Sequence, residues 1–298
     1  MASFDPAHPK FQGLDLIQAT YKLVGDHAIR VDVLIPQTLE TGERPMIARF
    51  HGGGLVMADP IFADFWPQWL TDLALRHSAI IVSPNYRLMP QAMGLDIYDD
   101  IEDFWTWLRS PALQELLAKH KTPTQLDLDR ILLAGESAGG LPTINASLTH
   151  ASEARAALAM YPSLDPSSPD YTQPRTDLLP FGQNLPESLI EDVLGPVRDG
   201  GPVSSLVGPK YLPAMCAAIQ YGRLGDWYAR EERDVRVPVS GITIIQGKQD
   251  SVVPAHHSVP FVERAREVLK GKPGAERISL ALKDGEHGFD SEVRYEDQ

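Results

Sequence analysis

The stretch LLAGESAGGL, residues 132–141, places small residues on both sides of a serine directly after an apolar run. Gly135, Ser137 and Gly139 fit the pattern G-x-S-x-G, in which the serine sits on a sharp turn between a strand and a helix. Such a turn strains the backbone and leaves no room for bulky neighbours, which favours glycine on either side. The stretch therefore predicts a strand over 130–136, an exposed serine and a helix over 138–150.

A serine hydroxyl is a weak nucleophile until a base takes its proton, and the base needs an acid to orient it. After a turn of this kind the partners follow in the order serine, acid, histidine, each at the carboxyl end of a strand. Asp250 ends the segment ITIIQGKQD, and His287 follows the run ISLAL one strand–helix–strand unit later. We therefore expect Ser137, Asp250 and His287 to form a catalytic triad. His256 and His257 are alternative bases, although their position is more typical of a helix start.

The motif HGGG, residues 51–54, ends an early apolar run and predicts an oxyanion hole. Acyl transfer places negative charge on the carbonyl oxygen, and backbone N–H groups aimed at that oxygen stabilise it. Consecutive glycines allow the backbone to approach closely. The candidate donors are the amides of Gly52, Gly53 and Gly54, together with the amide of Ala138 after the nucleophile. We expect His51 to brace this loop.

Apolar runs of strand type alternate with segments of helical spacing along most of the chain. An antiparallel pair comes first, and the later strands are nearly continuous apolar runs, as in a parallel sheet covered on both faces. This alternation predicts an α/β fold with a mostly parallel central sheet flanked by helices. The expected strands are 15–26, 27–36, 45–54, 78–88, 130–136, 155–162, 239–250 and 277–289, and the expected helices are 62–77, 96–110, 138–150 and 259–271.

The alternation of strand-type and helix-type segments is interrupted over residues 163–235. We interpret this segment as a cap insertion within a single domain, 1–298. Its first half is rich in Pro, Ser and Asp, and its second half has helical and aromatic character. We interpret the acidic residues of the helix at 96–110 as its solvated start; they are Asp96, Asp99, Asp100, Glu102 and Asp103.

Composition excludes several classes of function. The chain has 298 residues and a formal net charge of −13, which opposes binding to nucleic-acid phosphates. It has one cysteine, Cys216, expected as a buried hydrophobe, and no apolar stretch near the roughly 18–20 residues of a membrane span. The N-terminus lacks a signal-peptide pattern, which favours a cytoplasmic protein. The histidines lack metal-ligand spacing, and GESAGG is not a dinucleotide fingerprint, so we expect no metal and no cofactor.

Taken as an ordered set, the motifs resemble those of the hormone-sensitive-lipase-like family of α/β-hydrolases. The set comprises FHGGG at 50–54, SPNYRLMP at 83–90, GESAGG at 135–140, GKQDSVVP at 247–254 and DGEHGF at 284–289. The resemblance implies an α/β-hydrolase fold, a triad at Ser137, Asp250 and His287, and oxyanion donors within 52–54 and at Ala138.

The chain departs from the family pattern in three ways. Glu136 precedes the nucleophile where Asp is frequent, and Gln91 follows the YRLMP element where Glu is usual, so a supporting bond is lost. Many relatives carry N-terminal helices that contribute to the cap. Here the first strand is expected by residue 15, which implies a reduced cap.

The leading functional hypothesis is a serine esterase that cleaves small or moderately sized hydrophobic esters through an acyl-enzyme. The alternatives are a biosynthetic lyase, thioesterase or cyclase of the same fold, with a place in secondary metabolism, and a catalytically silent binding protein. The expected partner is a small-molecule ester or acyl substrate, and the oligomeric state stays open, with a homodimer among the options. The predicted pocket is lined by Leu55, Val56, Trp66, Tyr211 and Met215, supplemented by Met57, Phe65, Trp69, Leu212 and Trp227.

Overall fold

A mixed sheet runs through the middle of the fold. The computed structural model describes residues 1–227 and 237–297, and in that part of the chain eight strands pair in the order β1-β2-β4-β3-β5-β6-β7-β8. The strands are β1 Leu14–Val24, β2 His27–Pro36, β3 Gly42–Phe50, β4 Ile80–Pro84, β5 Thr124–Glu136, β6 Ala156–Met160, β7 Ile242–Gly247 and β8 Ile278–Lys283.

Helices and shorter turns connect these strands. The α-helices are α1 Gln68–His77, α2 Gly94–Leu108, α3 Pro111–Ala118, α4 Gly140–Thr149, α5 Pro169–Thr172, α6 Gly195–Arg198, α7 Tyr211–Gln220 and α8 Ser258–Val268. A 3-10 turn, Ser137–Gly139, leads into α4, and another, Ala255–His257, leads into α8. No helix within 1–227 or 237–297 has the length and apolar character needed to cross a membrane.

The observed pairing confirms the predicted fold class. β1 and β2 form the expected antiparallel pair, and β2 is also antiparallel to β4. The remaining pairs, from β4 through β3 and β5 to β8, are parallel. Because parallel strands point the same way, the residues after β3, β5, β7 and β8 meet at one edge of the sheet. The HGGG loop, Ser137, Asp250 and His287 all follow these strands.

Alternation along the central strands divides the core between the two faces of the sheet. In β4, Ile80 and Val82 belong to one buried cluster and Ile81 to the other. All five residues of β4 are buried, as the continuous apolar run predicted. The clusters hold the strands of the parallel region rigidly beneath the edge where the chemistry-bearing residues collect.

The predicted insertion, 163–235, is described up to residue 227. Short helices and irregular segments dominate it, and α7 lies in the half that was predicted to be helical. Ala214–Ala218 of α7 are buried in the main hydrophobic cluster, so this helix contributes to the core. Burial raises the pKa of the Cys216 thiol to about 12, which leaves it a protonated, unreactive side chain at neutral pH.

The interpretation of the acidic run as wholly solvated is wrong at Asp100. Its side chain is fully buried and forms ion pairs with Arg87 and Lys22, at 2.9 and 2.7 Å. Asp103, on the same helix, also contacts Lys22 but is 55% exposed. One turn of α2 thus anchors the segment that follows β4. Nearby, the departure at Gln91 leaves its Oε1 buried with no hydrogen-bond partner among the described residues.

Removing the charge of Asp100 is expected to destabilise the fold strongly. The substitution Asp100→Asn leaves two cationic side chains without their buried counter-ion, and should lower the free energy of unfolding by about 3 kcal/mol or more. Asp103→Asn is the matched control and should cost about 0.5 kcal/mol or less, since that carboxylate is exposed. Urea unfolding of the three proteins measures both values, and equal losses would contradict the assignment.

Candidate active site

Ser137 lies on a strained turn between β5 and α4. Its φ is 54°, in the left-handed region that residues with a side chain rarely adopt. Packing enforces the turn: a Cβ atom on Gly135 would overlap Thr143 and the Gly139 carbonyl, and one on Gly139 would overlap the Phe50 carbonyl. The small residues around the serine are therefore required by contacts with the neighbouring strand and helix.

The structure brings Ser137, His287 and Asp250 into one hydrogen-bonded chain. The Nε2 atom of His287 lies 2.9 Å from Ser137 Oγ, and its Nδ1 atom lies 2.9 Å from Asp250 Oδ2. The Asp250 side chain is fully buried and that of His287 is 11% exposed. The two alternative bases, His256 and His257, instead contact Asp170.

The Asp250 carboxylate is fixed by donors on its own loop. Its Oδ1 accepts the backbone N–H groups of Val252 and Val253, at 3.0 and 2.7 Å. Its Oδ2 accepts a hydrogen bond from the buried Gln246 amide at 3.1 Å, in addition to its contact with His287. Gln246 also donates to the Val253 carbonyl. Sequence reasoning missed Gln246, although a polar residue inside the apolar run ITII-Q-G was the available signal.

Side chains around His287 hold its ring and its loop. The Tyr161 ring meets the imidazole edge-on with centroids 4.6 Å apart, and the Tyr161 hydroxyl donates to Asp290 Oδ1 at 2.6 Å. Burial, reinforced by the Asp290 carboxylate, raises the pKa of Tyr161 well above its usual value. Glu286 accepts hydrogen bonds from the backbone N–H groups of His287 and Ser251, which joins the histidine loop to the acid loop.

Gly52, one of the candidate oxyanion donors, has an amide that already has a partner. The Gly52 N–H donates to Glu136 Oε1 at 3.2 Å, and the same carboxylate oxygen pairs with the buried Arg49. Burial raises the pKa of Glu136, an effect that the Arg49 guanidinium opposes. Of the other loop glycines, Gly53 lines the cavity beside Ser137, whereas Gly54 lies against Met215.

The amide of Ala138 remains a candidate donor. Ala138 is the second residue of the turn Ser137–Gly139, and N–H groups at the start of a helical turn have no acceptor within it. An oxygen held next to Ser137 would therefore face the Gly53 side of the loop and the first turn of the following helix.

His51 braces the glycine loop from behind. Its Nδ1 contacts the Gly52 carbonyl oxygen at 2.9 Å, and its ring stacks on Tyr86 with centroids 4.4 Å apart. Tyr86 in turn donates its hydroxyl hydrogen to the His51 carbonyl. Burial lowers the pKa of His51 to about 4, so the ring is neutral at physiological pH.

A cavity of about 230 Å³ opens directly over Ser137 and His287. Its apolar wall is formed by Phe65, Phe181, Leu212 and Met215, and Tyr161 contributes from the sheet side. A groove of about 510 Å³ adjoins the cavity and shares Phe65, Phe181 and Leu212 with it. Phe181 was missed by sequence reasoning because it lies in an irregular stretch with no periodicity.

Of the five residues predicted to line the pocket, Met215 lines the cavity, whereas the other four do not. Leu55 and Val56 are buried in the main core, because left-handed residues at Gly54 and Leu55 turn the chain inward. Trp66 is fully buried, with its ring 4.5 Å from the Arg49 guanidinium. Tyr211 packs beneath Lys210 and lies outside the residues that line the cavity and its groove.

The supplementary pocket predictions are mixed. Phe65 and Leu212 line the cavity, and Met57 lines the adjoining groove. Trp69 is buried and donates its indole N–H to Asp290 at 2.8 Å, whereas Trp227 packs against the core.

Known proteins share this chain's sequence pattern and fold. A family model described as alpha/beta hydrolase fold matches residues 47–200. Probable carboxylesterase M8 of Phoma sp. is 30% identical over 312 residues, which cover 97% of this chain and 93% of that protein. Probable carboxylesterase clz11 of Cochliobolus lunatus is 36% identical over 146 residues, covering 45% of this chain and 66% of that protein.

A solved structure shows the likeness in three dimensions. Esterase LipW from Mycobacterium marinum superposes with a TM-score of 0.57 at 18% identity, covering 96% of this chain and 76% of that one. At this identity the comparison shows that the two chains share the fold.

The buried state of His51 predicts a loss of stability in mild acid. In the unfolded chain the His51 imidazole is protonated below its ordinary pKa near 6.5. In the folded protein it is protonated only below about pH 4. Stability present above pH 6.5 is therefore lost as the pH falls towards 4, by up to about 3 kcal/mol from this ring. In His51→Gln this position cannot titrate. Between pH 6.5 and 4 the unfolding free energy of the variant should therefore fall by up to about 3 kcal/mol less than that of the wild type.

Urea unfolding at a series of pH values measures the slope for both proteins. His77→Gln, at an exposed histidine, is the control and should follow the wild-type slope. Parallel curves for wild type and His51→Gln would contradict the assignment.

Proposed function

Because this chain belongs to the hormone-sensitive-lipase-like family of α/β-hydrolases, we propose that it is a carboxylic ester hydrolase with Ser137 as its nucleophile. The observation that carries the proposal is the continuous hydrogen-bonded chain from Ser137 Oγ through His287 to Asp250. The carboxylesterase names of the two curated relatives support the reaction class.

In the proposed mechanism His287 is the general base. Its Nε2 takes the hydroxyl proton of Ser137 as Oγ attacks the ester carbonyl carbon, and the carbonyl π electrons move to the oxygen. The resulting imidazolium gives that proton to the departing alcohol when the tetrahedral intermediate collapses to an acyl-enzyme. Water then attacks the acyl group, with His287 again accepting and returning a proton, and the acid is released.

Asp250 serves this cycle by holding the imidazole. Its Oδ2 accepts the Nδ1–H of His287, which leaves the Nε2 lone pair facing Ser137. The same carboxylate stabilises the imidazolium that forms during attack. Its hydrogen bonds to Val252, Val253 and Gln246 keep it aimed at the ring without further reorganisation.

Negative charge on the substrate oxygen is stabilised by backbone amides. We assign this role to Gly53 and Ala138, because the Gly52 amide is bonded to Glu136. Removing one such donor typically costs about 100- to 1,000-fold in kcat. The Arg49–Glu136 pair supports the oxyanion hole indirectly. Glu136 accepts the Gly52 N–H and so fixes the backbone that leads into Gly53.

The dimensions of the site favour a small or moderately sized hydrophobic ester. The cavity of about 230 Å³ is at the small end of ligand sites, and its wall is mainly Phe65, Leu212 and Met215. The adjoining groove extends the apolar surface beyond Phe181 and gives the other half of the ester a place to lie.

Replacement of the nucleophile tests the mechanism. Ser137→Ala should lower kcat for p-nitrophenyl butyrate by roughly 10⁴-fold or more, since the covalent step is lost. It should also abolish labelling by a fluorophosphonate probe, while the protein melts at nearly the wild-type temperature. Ser291→Ala is the matched control: this serine lines the same cavity but should retain both labelling and turnover. Turnover that survives in Ser137→Ala would refute the nucleophile assignment.

An acyl-chain series tests the proposed substrate size. With p-nitrophenyl esters, kcat/KM for acetate or butyrate should exceed that for laurate by roughly tenfold or more, because the cavity cannot enclose a long chain. Leu212→Ala, which enlarges both cavity and groove, should shift the preference towards longer acyl groups. A wild-type preference for laurate would contradict the size assignment and leave the nucleophile assignment intact.

A further inference from the structure

Two imidazoles and a carboxylate meet where the 163–235 segment contacts the loop that carries Asp250. Asp170 belongs to α5, whereas His256 and His257 lie in the turn that precedes α8. The Nε2 atoms of both histidines lie 2.7 Å from the same oxygen, Asp170 Oδ2. One ligand atom from each residue therefore points to a common region, and all three atoms lie within 4.8 Å of one another.

We propose that Asp170, His256 and His257 form a binding site for a divalent transition metal of the zinc class. Two imidazole nitrogens and one carboxylate oxygen are a ligand set that Zn²⁺ favours. In a tetrahedral site with bonds of about 2.0–2.1 Å, the ligand atoms are about 3.3 Å apart. This separation is larger than the 2.7 Å between each Nε2 atom and Asp170 Oδ2, and it is within the 4.8 Å that bounds all three ligand atoms. A small outward shift of the imidazoles from Oδ2 would therefore make room for the ion.

Arg175 fixes the two halves of the site relative to each other. Its side chain is 3% exposed, and its Nε donates to the Asp170 carbonyl at 2.7 Å. Its two Nη atoms donate to the carbonyls of Ser251 and Val252, on the Asp250 loop. Because Arg175 holds α5 against this loop without any metal, the ligand groups are brought together before a metal arrives.

One histidine of the cluster is buried and the other is exposed to solvent. The side chain of His257 is 2% exposed, whereas that of His256 is 66% exposed, which gives a metal ion access from solvent. Asp170 Oδ1 faces Arg175, so Oδ2 is the oxygen left for the metal. Ser168 Oγ lies 3.1 Å from His257 Nε2 and places a further oxygen beside the position, where it or a water completes the coordination.

Such a metal would be structural and would tie the 163–235 segment to the Asp250 loop. The proposed base is His287, whose ring contacts Ser137 and Asp250, so the cluster is separate from the reacting atoms. Metal binding at this cluster does not depend on the proposed hydrolase activity. No metal was expected from the sequence, because Asp170 is distant along the chain from the adjacent histidines and local spacing cannot reveal the set.

Zinc binding to the intact protein tests the proposal. After treatment with EDTA and desalting, isothermal titration with ZnCl₂ should show one Zn²⁺ ion bound per chain. Excess Zn²⁺ at about 100 times the dissociation constant should raise the melting temperature by about 5 °C. Mg²⁺ and Ca²⁺ should leave it unchanged, since both prefer all-oxygen ligands. Absence of Zn²⁺ binding by the wild-type protein would overturn the proposal.

Variants locate the bound ion. Asp170→Asn and His256→Ala should each weaken Zn²⁺ binding by tenfold or more, and His256→Ala should melt normally without metal because its ring is exposed. His77→Ala, at another exposed histidine, and His287→Ala should keep the full Zn²⁺ response. Binding that is unchanged in both Asp170→Asn and His256→Ala would show that the ion lies elsewhere and would overturn the assignment.

Discussion

The left-handed backbone at Ser137 is the constraint on which the site depends. Its φ of 54° lies in a region that residues with a side chain rarely adopt, and Ser137 occupies the turn between β5 and α4 with this backbone. Gly135 and Gly139 make this turn possible because they pack directly against Thr143 and the Phe50 carbonyl. The strain is balanced by the contacts of β3, β5 and α4 on both sides of the turn, so the rigid part of the fold holds the reactive hydroxyl.

Buried charge supports the neighbouring loop. Arg49 is almost completely buried, donates to the Pro60 carbonyl, pairs with Glu136 and lies under the Trp66 ring. Such an ion pair is weak support for stability, because desolvation offsets much of its Coulomb energy. Its consequence here is geometric: Glu136 engages the Gly52 amide and fixes where the glycine loop starts. The residue before the nucleophile thus positions the loop on the neighbouring strand.

The sequence predicted the fold class and the edge of the sheet at which the candidate catalytic residues lie, because parallel strands bring distant segments together by their shared direction. Ser137, Asp250 and His287 could be placed in this way, since each follows a strand. Side-chain environments were harder to predict. The pocket prediction assumed that the residues after HGGG face the substrate, but the chain turns at Gly54 and Leu55, which both have positive φ, and Leu55 and Val56 are buried in the core. Asp100, Gln246 and Phe181 depend on contacts made across elements, which a local pattern does not contain.

In the proposed reaction the hydroxyl of Ser137, the imidazole of His287 and two backbone amides surround one reacting carbon. The most direct measurement is a crystal structure of the protein after reaction with a dialkyl p-nitrophenyl phosphate. We expect phosphorus bonded to Ser137 Oγ, with its phosphoryl oxygen within hydrogen-bond distance of the Gly53 and Ala138 amides and His287 Nε2 near the ester oxygens. An adduct on another side chain, or a phosphoryl oxygen directed away from both amides, would contradict it.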